Sequence, residues 1–161
     1  MAVGMPMARE LQMETAQTNH IPNLQATEIY PYEMADFPAI EQRWGQPIAR
    51  RSGPTARYNC HGLTFASRRT GVFESPVIQM ILDDDGYQEV APQDVLAGDV
   101  ILYFGEDADV EHSGIIISPP ARQLFGIPVV ISKWGKYAEL VHWANRCPYS
   151  FARVRYYRVQ L

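Results

Sequence analysis

The chain has few cysteines, no long hydrophobic run and no excess of positive charge, and each of these absences excludes a class of protein. Cys60 and Cys147 are the only cysteines in 161 residues, too few for a disulfide framework. No segment approaches the roughly 20 consecutive apolar residues of a membrane helix, so no membrane span is expected. The formal net charge of -4 argues against binding nucleic acid through bulk electrostatics, so no nucleic-acid partner is expected.

The first residues, MAVGMPMARELQME, lack the basic segment followed by an apolar stretch that marks a secretory signal. The expected location is therefore the cytoplasm, or the cell exterior by a route that needs no cleaved signal peptide. A hydrophobic fraction of 47% and a charged fraction of 20% are typical of an ordinary folded protein with one core. Nothing in the composition predicts the oligomeric state.

Local patterns predict helices in the first half of the chain and strands in the second. Helical patterns lie at 7–17, 60–69 and 75–82. Strand-like apolar runs lie at 98–104, 112–118, 127–134 and 152–160. Helices followed by strands that turns connect predict an α+β fold, with the helix at 60–69 packed on an antiparallel sheet of about five strands.

Two parts of the chain differ in character. Residues 1–56 are predicted to form an N-terminal arm that is partly irregular, since four prolines and several aromatic residues interrupt its second half. Residues 57–161 carry the sharper patterns and are predicted to form the main domain.

The stretch RYNCHGLTFA, residues 57–66, carries the strongest chemical signal. Asn59 is a favourable N-cap, so the helix is expected to begin at Cys60. Free main-chain N–H groups and the positive end of the helix dipole then favour the thiolate and could hold an oxyanion. A nucleophilic cysteine also needs a base nearby, and His112, which opens a strand after a polar loop, is in a suitable position.

Three motifs, taken in order, resemble those of the NlpC-type cysteine peptidases, a papain-like family. The motifs are NCHGL at 59–63, AGDVILYF at 97–104 and HSGIII at 112–117. In that family a helix begins with a motif such as DCSGL, a GD turn leads into the first strand, and a histidine opens the second. The match covers about residues 57–134, and the wider run is also similar to a group of bacterial proteins with no established substrate.

The resemblance implies a papain-like hydrolase at 57–161, with Cys60 as nucleophile and His112 as general base. Such a peptidase or amidase cleaves amide bonds through a thioester, without a cofactor, and its commonest substrates are peptidoglycan peptides. The resemblance also implies that the N–H of Cys60 and the side chain of Tyr58 support the oxyanion. The further candidates for substrate or oxyanion contacts are His61, Lys133 and Trp134.

The third catalytic residue is where this chain departs from the family. The family usually places a polar side chain on the next strand to orient the histidine, and here that strand reads VVISKWG. Strand alternation lets only one of Ser132 and Lys133 face His112. A lysine would repel an imidazolium, so Ser132 is the expected orienting residue, and His142 is the reserve.

The same residues also allow other functional interpretations. A zinc site could draw its ligands from Cys60, His61, His112, His142 and Cys147, but no CxxC, HxxxH or HExxH spacing occurs, so no metal is expected. The chain could be an intracellular peptidase, or a catalytically inert binding module on the same fold. It could also be an acyltransferase resembling the lecithin:retinol acyltransferase group, in which the histidine precedes the cysteine.

Overall fold

The computed structural model describes residues 8–160, which form three α-helices and one β-sheet. The helices are α1 (Pro31–Trp44), α2 (Cys60–Ala66) and α3 (Ser75–Asp84). The strands are β1 (Ala49–Arg50), β2 (Tyr87–Val90), β3 (Val100–Phe104), β4 (Val110–Ser118), β5 (Val129–Lys133), β6 (Glu139–Trp143) and β7 (Val154–Val159). Two short 3-10 helices are η1 (Pro92–Asp94) and η2 (Pro120–Arg122). The predicted α+β class is confirmed.

The sheet has seven strands, more than the predicted number of about five. All neighbours pair antiparallel, in the order β1-β6-β5-β4-β3-β7-β2. The strands that the sequence did not predict are β1, β2 and β6. They lack a clear apolar signal, because β1 has two exposed residues, β2 buries only Val90 and β6 contains a glutamate and a histidine.

The helix expected at 7–17 is wrong over the part of it that the structure describes. Residues 8–25 run as an extended pair with bridges at Arg9↔Gln25 and Glu14↔His20. The Asn23 side chain accepts a hydrogen bond from the N–H of Leu11 and donates one to its carbonyl, at 2.9 and 2.8 Å. Side-chain bonds of this kind compete with the helical ones.

Within the predicted arm, α1 is a 14-residue helix that the sequence did not predict, because prolines argue against helices. Pro31 occupies the first turn, where its missing N–H has no helical partner to lose. None of the α1 residues is fully buried, and three half-buried side chains, Phe37, Ile40 and Trp44, attach the helix to the sheet. The arm also supplies the edge strand β1, which pairs with β6.

The sheet separates two apolar layers. One face, which we call the α1 face, carries Ile101, Tyr103 and Val130 and is covered by α1 and by residues 144–151. The other, the α2 face, carries Leu102 and Ile131 and is covered by α2, α3 and their connections. None of the helices in residues 8–160 is long and apolar enough to cross a membrane.

Candidate active site

The start of α2 is set by Asn59, as the sequence predicted. Its Oδ1 accepts hydrogen bonds from Gly62 N at 2.9 Å and Val72 N at 3.1 Å. Its Nδ2 donates to Val72 O at 2.6 Å. The amide therefore caps α2 and ties it to the segment that leads into α3, which fixes Cys60 at the first helical position.

Cys60 is buried in its resting state, with 6% of its surface exposed. Burial raises the pKa of the thiol to about 11, although main-chain hydrogen bonds from Ser113, His61 and Cys60 itself lower it. The expectation that the helix start favours the thiolate is therefore wrong for the resting protein, because desolvation outweighs the N–H groups. The cysteine rests as a neutral thiol.

His112 is fully buried, and neither ring nitrogen has a hydrogen-bond partner among residues 8–160. Its ring stacks on Tyr149, with centroids 3.8 Å apart and planes 5° from parallel, and Tyr103 lies at 5.2 Å. Burial, followed by the charges of His142 and His61, holds the pKa of His112 well below its usual value of 6.5. The imidazole is therefore neutral around pH 7.

The structure brings Cys60 to the main chain beside His112 but not to the His112 ring. Cys60 lies on the α2 face, whereas His112 pairs with Tyr103 of the α1 face, and within residues 8–160 its ring nitrogens make no hydrogen bond to the sulfur. The main chain of Ser113, the residue after His112, lies near the Cys60 sulfur and opposes the rise in the pKa of its thiol. A thiolate at Cys60 would also raise the pKa of Tyr149, the ring stacked on His112, after the larger effect of burial. Pairing of β4 with β5 begins at Ile115↔Ile131, so Ser113 lies outside this pairing.

The residue chosen to orient His112 has other partners. Ser132 Oγ lies 2.6 Å from His142 Nε2, and His142 Nδ1 lies 2.8 Å from Trp143 O. A carbonyl only accepts, so Nδ1 carries the proton and Ser132 donates to Nε2. The Trp134 indole donates to Ser132 Oγ at 3.2 Å. The predicted Ser132–His112 bond is therefore absent, and Ser132 instead binds His142, the reserve candidate.

His142 nevertheless acts on His112 from nearby. It lies on the same sheet face, since it pairs with Val130 of the α1 face. A positive charge on His142 would disfavour one on His112, which is a cause, after burial, of the lowered pKa of His112. Burial lowers the pKa of His142 itself to about 4, so this neighbour is also neutral. Trp134 is buried, and its indole N–H serves this network rather than an open cleft.

Lys133 lies on the opposite face, as alternation predicted, and is fully buried. Its Nζ donates to Thr55 O at 2.8 Å and Gly135 O at 2.6 Å and lies 5.2 Å from the centroid of the Tyr58 ring. Burial lowers its pKa to about 8, and the charge of Cys60 opposes that change. Lys133 is thus a cation within electrostatic reach of Cys60.

Tyr58 is not directed at the sulfur. Its hydroxyl donates to Glu139 Oε2 at 2.6 Å, and Arg68 binds both oxygens of the same carboxylate at 2.8 and 2.7 Å. In the resting structure the Tyr58 hydroxyl is therefore not placed to support an oxyanion at Cys60, contrary to expectation. Glu139 is the residue that the sequence analysis missed; the signal was its position as the only acidic residue after residue 111.

His61 is a buried structural residue rather than part of a substrate cleft. Its Nδ1 lies 2.8 Å from Ser113 Oγ, which donates to Thr64 Oγ1 at 2.9 Å. The main chain of Val110 opposes the lowering of the pKa of the ring. Burial lowers the pKa of His61 to about 4, so a neutral imidazole joins α2 to β4.

A cavity of about 490 Å³ opens next to the His112–Tyr149 stack. Its lining comes from α1, from the turn after β5 and from Tyr149: Asp36, Ala39, Ile40, Arg43, Trp44, Trp134, Gly135, Pro148 and Tyr149. This cavity borders the Tyr149 ring, which covers His112.

Among residues 8–160, no three His, Cys, Asp or Glu side chains are grouped so that they could hold a metal ion. Cys147 is buried, with its sulfur 3.5 Å from Ala144 O. Comparison of the chain with protein-family models, with curated proteins and with solved structures gave no match. The candidate site rests on its own geometry and chemistry.

Proposed function

We propose that the chain is a cysteine hydrolase that cleaves amide bonds in peptides, with Cys60 as nucleophile and His112 as general base. One observation carries the proposal: in the described part of the chain a fully buried imidazole has two unpartnered nitrogens, and the main chain next to it lies near a cysteine sulfur. Buried polar atoms are nearly always hydrogen-bonded, and an unpaired one costs about 1–3 kcal/mol. The use of a ring nitrogen as a base would explain why His112 is left without a hydrogen-bond partner despite this cost.

The resting pair is a thiol and a neutral imidazole, which defines the order of proton transfers. The mechanism requires the His112 ring to move within hydrogen-bond reach of the sulfur, since the resting ring makes no such bond. His112 then takes the proton of Cys60 as the sulfur bonds to the substrate carbonyl carbon. Main-chain N–H groups at the start of α2 stabilise the oxyanion. The imidazolium returns its proton to the leaving amine as the C–N bond breaks. Water then attacks the thioester, with His112 again accepting the proton, and the acid and free thiol are released.

The buried cation and the hydroxyl–imidazole network act on this pair from the two faces of the sheet. Lys133 favours negative charge on Cys60, since the two charges attract. The hydrogen-bonded pair Ser132 and His142 lies on the same sheet face as His112, and a positive charge on His142 would disfavour one on His112. Substrate is proposed to reach the pair through the cavity beside Tyr149, which requires that Tyr149 move off the His112 ring.

The family we propose is the NlpC-type group of papain-like peptidases. The order of elements supports it: α2 carries the cysteine, β3 follows the GD turn, β4 contains the histidine, and β5 lies next to β4. Peptidoglycan stem peptides are the first substrate class to test, followed by intracellular peptides.

The test is hydrolysis of purified sacculi and of mixed peptides, with products read by mass spectrometry. Cys60→Ala and His112→Ala are each expected to lower kcat/KM by about 10³-fold or more, since nucleophile and base act as a unit. Ser132→Ala should cost less, because its hydroxyl serves His142 and does not touch His112. Circular dichroism and thermal unfolding should show that each variant keeps its fold.

Cys147→Ala is the matched control, because Cys147 is also buried. It should leave activity nearly unchanged, and a thiol-reactive probe should still label that variant but not Cys60→Ala. Full activity of Cys60→Ser would contradict the mechanism. Binding of peptide without turnover, together with unlabelled Cys60, would instead support an inert binding module, which the burial of Cys60 favours.

A further inference from the structure

Two opposite charges lie directly across from each other on neighbouring strands but do not bond. Lys133 of β5 pairs in register with Glu139 of β6, and both side chains are buried. Directly opposite side chains on antiparallel strands have Cβ atoms about 5 Å apart, so opposite charges at such positions attract. Within residues 8–160, however, the ion pair of Glu139 is with Arg68, and none joins Lys133 to a carboxylate. Other contacts therefore prevent the pairing that the register allows.

Both oxygens of the Glu139 carboxylate are already bound. Arg68 Nε donates to Oε2 at 2.8 Å and Arg68 Nη2 to Oε1 at 2.7 Å, and the Tyr58 hydroxyl donates to Oε2 at 2.6 Å. A bidentate pair of arginine and carboxylate is among the strong hydrogen-bonded arrangements in proteins. Burial raises the pKa of Glu139, but the bonds from Arg68 and Tyr58 outweigh this effect and lower it. Glu139 is therefore a carboxylate at neutral pH, and its charge is matched by that of Arg68.

Lys133 binds main-chain carbonyls instead of the carboxylate. Its Nζ donates to Thr55 O at 2.8 Å and to Gly135 O at 2.6 Å, and the side chain is fully buried. Carbonyl dipoles solvate an ammonium group but carry no net charge, whereas buried charges in proteins are normally paired with an opposite charge. The two carbonyls therefore explain where Lys133 is held but not why a charge is kept there.

Cys60 is the group on which the charge of Lys133 acts. α2 packs on β5, and the ring of Tyr58, two residues before Cys60, has its centroid 5.2 Å from Lys133 Nζ. Burial raises the pKa of the Cys60 thiol to about 11, and the charge of Lys133 opposes that rise. Burial lowers the pKa of Lys133 to about 8, and a thiolate at Cys60 opposes that fall. Each group is thus within range of the other's charge.

We propose that Lys133 is a positioning residue for Cys60, and that Arg68 keeps the charge of Lys133 available by holding the carboxylate of Glu139. The inference rests on the proposed function, because it takes Cys60 as the nucleophile. The ammonium group stabilises negative charge on the sulfur while the thiol loses its proton and again when the thioester releases the sulfur. In place of a polar residue that orients the base, this chain then has a cation on the side of the sheet where the nucleophile lies.

The charge of Lys133 gives the arrangement a defined pH dependence. Its pKa of about 8 means that the ammonium supports the thiolate below that pH and that the support is lost above it. The charge of Arg51 also acts on Glu139. Burial or hydrogen bonds displace the pKa values of the other groups around this pair away from the range between pH 7 and 9, upward for Tyr58, Cys60, Arg68 and Tyr149 and downward for His61, His112 and Glu139.

The experiment compares the rates at which Cys60 in the native chain reacts with iodoacetate, which is an anion, and with iodoacetamide, which is neutral and of similar size. Peptide mass spectrometry reads the labelling at Cys60. The ratio of the two rates reports the charge near the sulfur, whereas a loosened structure changes both rates together. In the wild-type chain the ratio should fall above pH 8, as Lys133 loses its proton. Lys133→Met should lower the ratio at pH 7 by about threefold or more and remove this pH dependence.

Arg68→Gln tests the role of the arginine. It frees Glu139 to pair with Lys133, so the ratio at pH 7 should fall by about twofold or more, and Arg68→Gln/Glu139→Gln should restore it. On the Lys133→Met background Arg68→Gln should have a smaller effect than in the wild type, because the freed carboxylate then has no lysine to neutralise. This comparison separates an action through Lys133 from the loss of the arginine's own charge.

Arg158→Gln is the matched control. Arg158 binds both oxygens of Asp99 at 2.7 Å, and the side chains are 34% and 4% exposed, close to the 44% and 4% of Arg68 and Glu139. Breaking this second bidentate pair should leave the ratio as in the wild type.

An unchanged ratio in Lys133→Met, or a wild-type ratio that stays constant from pH 7 to 9, would overturn the role of Lys133. Equal effects of Arg68→Gln with and without Lys133 would overturn the role of Arg68. If Lys133→Met does not fold, the pH dependence of the wild-type ratio and the ratio in Arg68→Gln decide the question. Neither needs hydrolysis, so the expected ratios without any cleavage of sacculi or peptides would support this inference and contradict the proposed function, and cleavage with unchanged ratios would do the reverse.

Discussion

At the scale of single residues, close approach explains why the start of α2 needs a glycine. An ideal Cβ on Gly62 would lie 1.9 Å from Thr70 O and 3.0 Å from Tyr58 Cβ. Both neighbours belong to the segments that frame Cys60, and the Thr70 atom is main chain, so it cannot rotate away. The glycine in NCHGL therefore has a steric reason that is independent of catalysis.

Gly62→Ala is expected to lower the free energy of unfolding by about 2 kcal/mol or more, because the new methyl group forces the main chain at Thr70 to shift. For a chain of this size the loss corresponds to a fall in Tm of about 4–8 °C in thermal unfolding.

The control for that substitution is Gly53→Ala. A Cβ on Gly53 meets nothing within 4 Å, and its φ lies outside the left-handed region, so its Tm should stay close to that of the wild type. A Gly62→Ala chain as stable as the Gly53→Ala chain would show that this close approach is not real.

At the scale of elements, α2 is a helix of seven residues, too short to be stable by itself. Contacts outside the helix hold it: Asn59 joins its start to Val72, and His61 joins its first turn to Ser113 on β4. The helix ends where Ser67 and Arg68 adopt the left-handed conformation, with φ values of 50° and 65°. Arg68 then reaches Glu139 on β6.

Asn59→Ala should lower the free energy of unfolding by about 1–2 kcal/mol, since the cap and two bonds to Val72 are lost together. It should also loosen the first turn, so that Cys60 reacts faster with iodoacetamide in the native state. Urea unfolding and the alkylation rate measure the two effects.

Asn59→Asp is the informative comparison. A carboxylate keeps both acceptor bonds and gains attraction to the helix N-terminus, although its second oxygen is repelled by Val72 O, so its loss of stability should be smaller than that of the alanine variant. If the alanine and aspartate variants were equally destabilised, the cap would not be what holds α2.

At the scale of the whole molecule, three neutral histidines are buried against the same sheet. His61 lies against the α2 face, and His112 and His142 lie on the α1 face. Burial lowers the pKa of His61 and of His142 to about 4, and that of His112 well below 6.5. Protonation of any of them would place a charge inside the molecule, so their charge state is coupled to folding.

A fall in pH is therefore expected to destabilise the fold already at pH values above those at which carboxylates titrate. Unfolded histidines take up protons near pH 6.5, whereas in the folded chain His61 and His142 do so only near pH 4, so the unfolded state binds more protons between these values. Stability should be full above pH 6.5 and fall below it, by about 1.4 kcal/mol per pH unit for each histidine once the unfolded form is protonated.

Urea unfolding at pH 7, 6 and 5 measures this slope. His61→Gln removes one of the titrating groups and should make the slope shallower. Stability that stays constant from pH 7 to pH 5 would contradict the buried neutral state of these histidines.

Local sequence patterns were sufficient to predict much of the fold. The N-cap at Asn59, the start of α2 at Cys60 and the four predicted strands were correct to within about two residues, because capping and strand signals depend on adjacent side chains. The patterns failed at α1 and at β1, β2 and β6. These elements have weak periodicity, and their stability comes from neighbours that are distant in the chain.

By itself the sequence determined the α+β class, the position of Cys60 at a helix start and the alternation of Ser132 and Lys133. Only the tertiary structure decided the partners: Ser132 with His142, Tyr58 with Glu139, and for His112 no hydrogen-bond partner within residues 8–160. It also decided that Cys60 rests as a thiol. The reason is physical, since hydrogen bonds and pKa values depend on burial and on which side chains meet across the sheet, and neither follows from the order of residues along the chain.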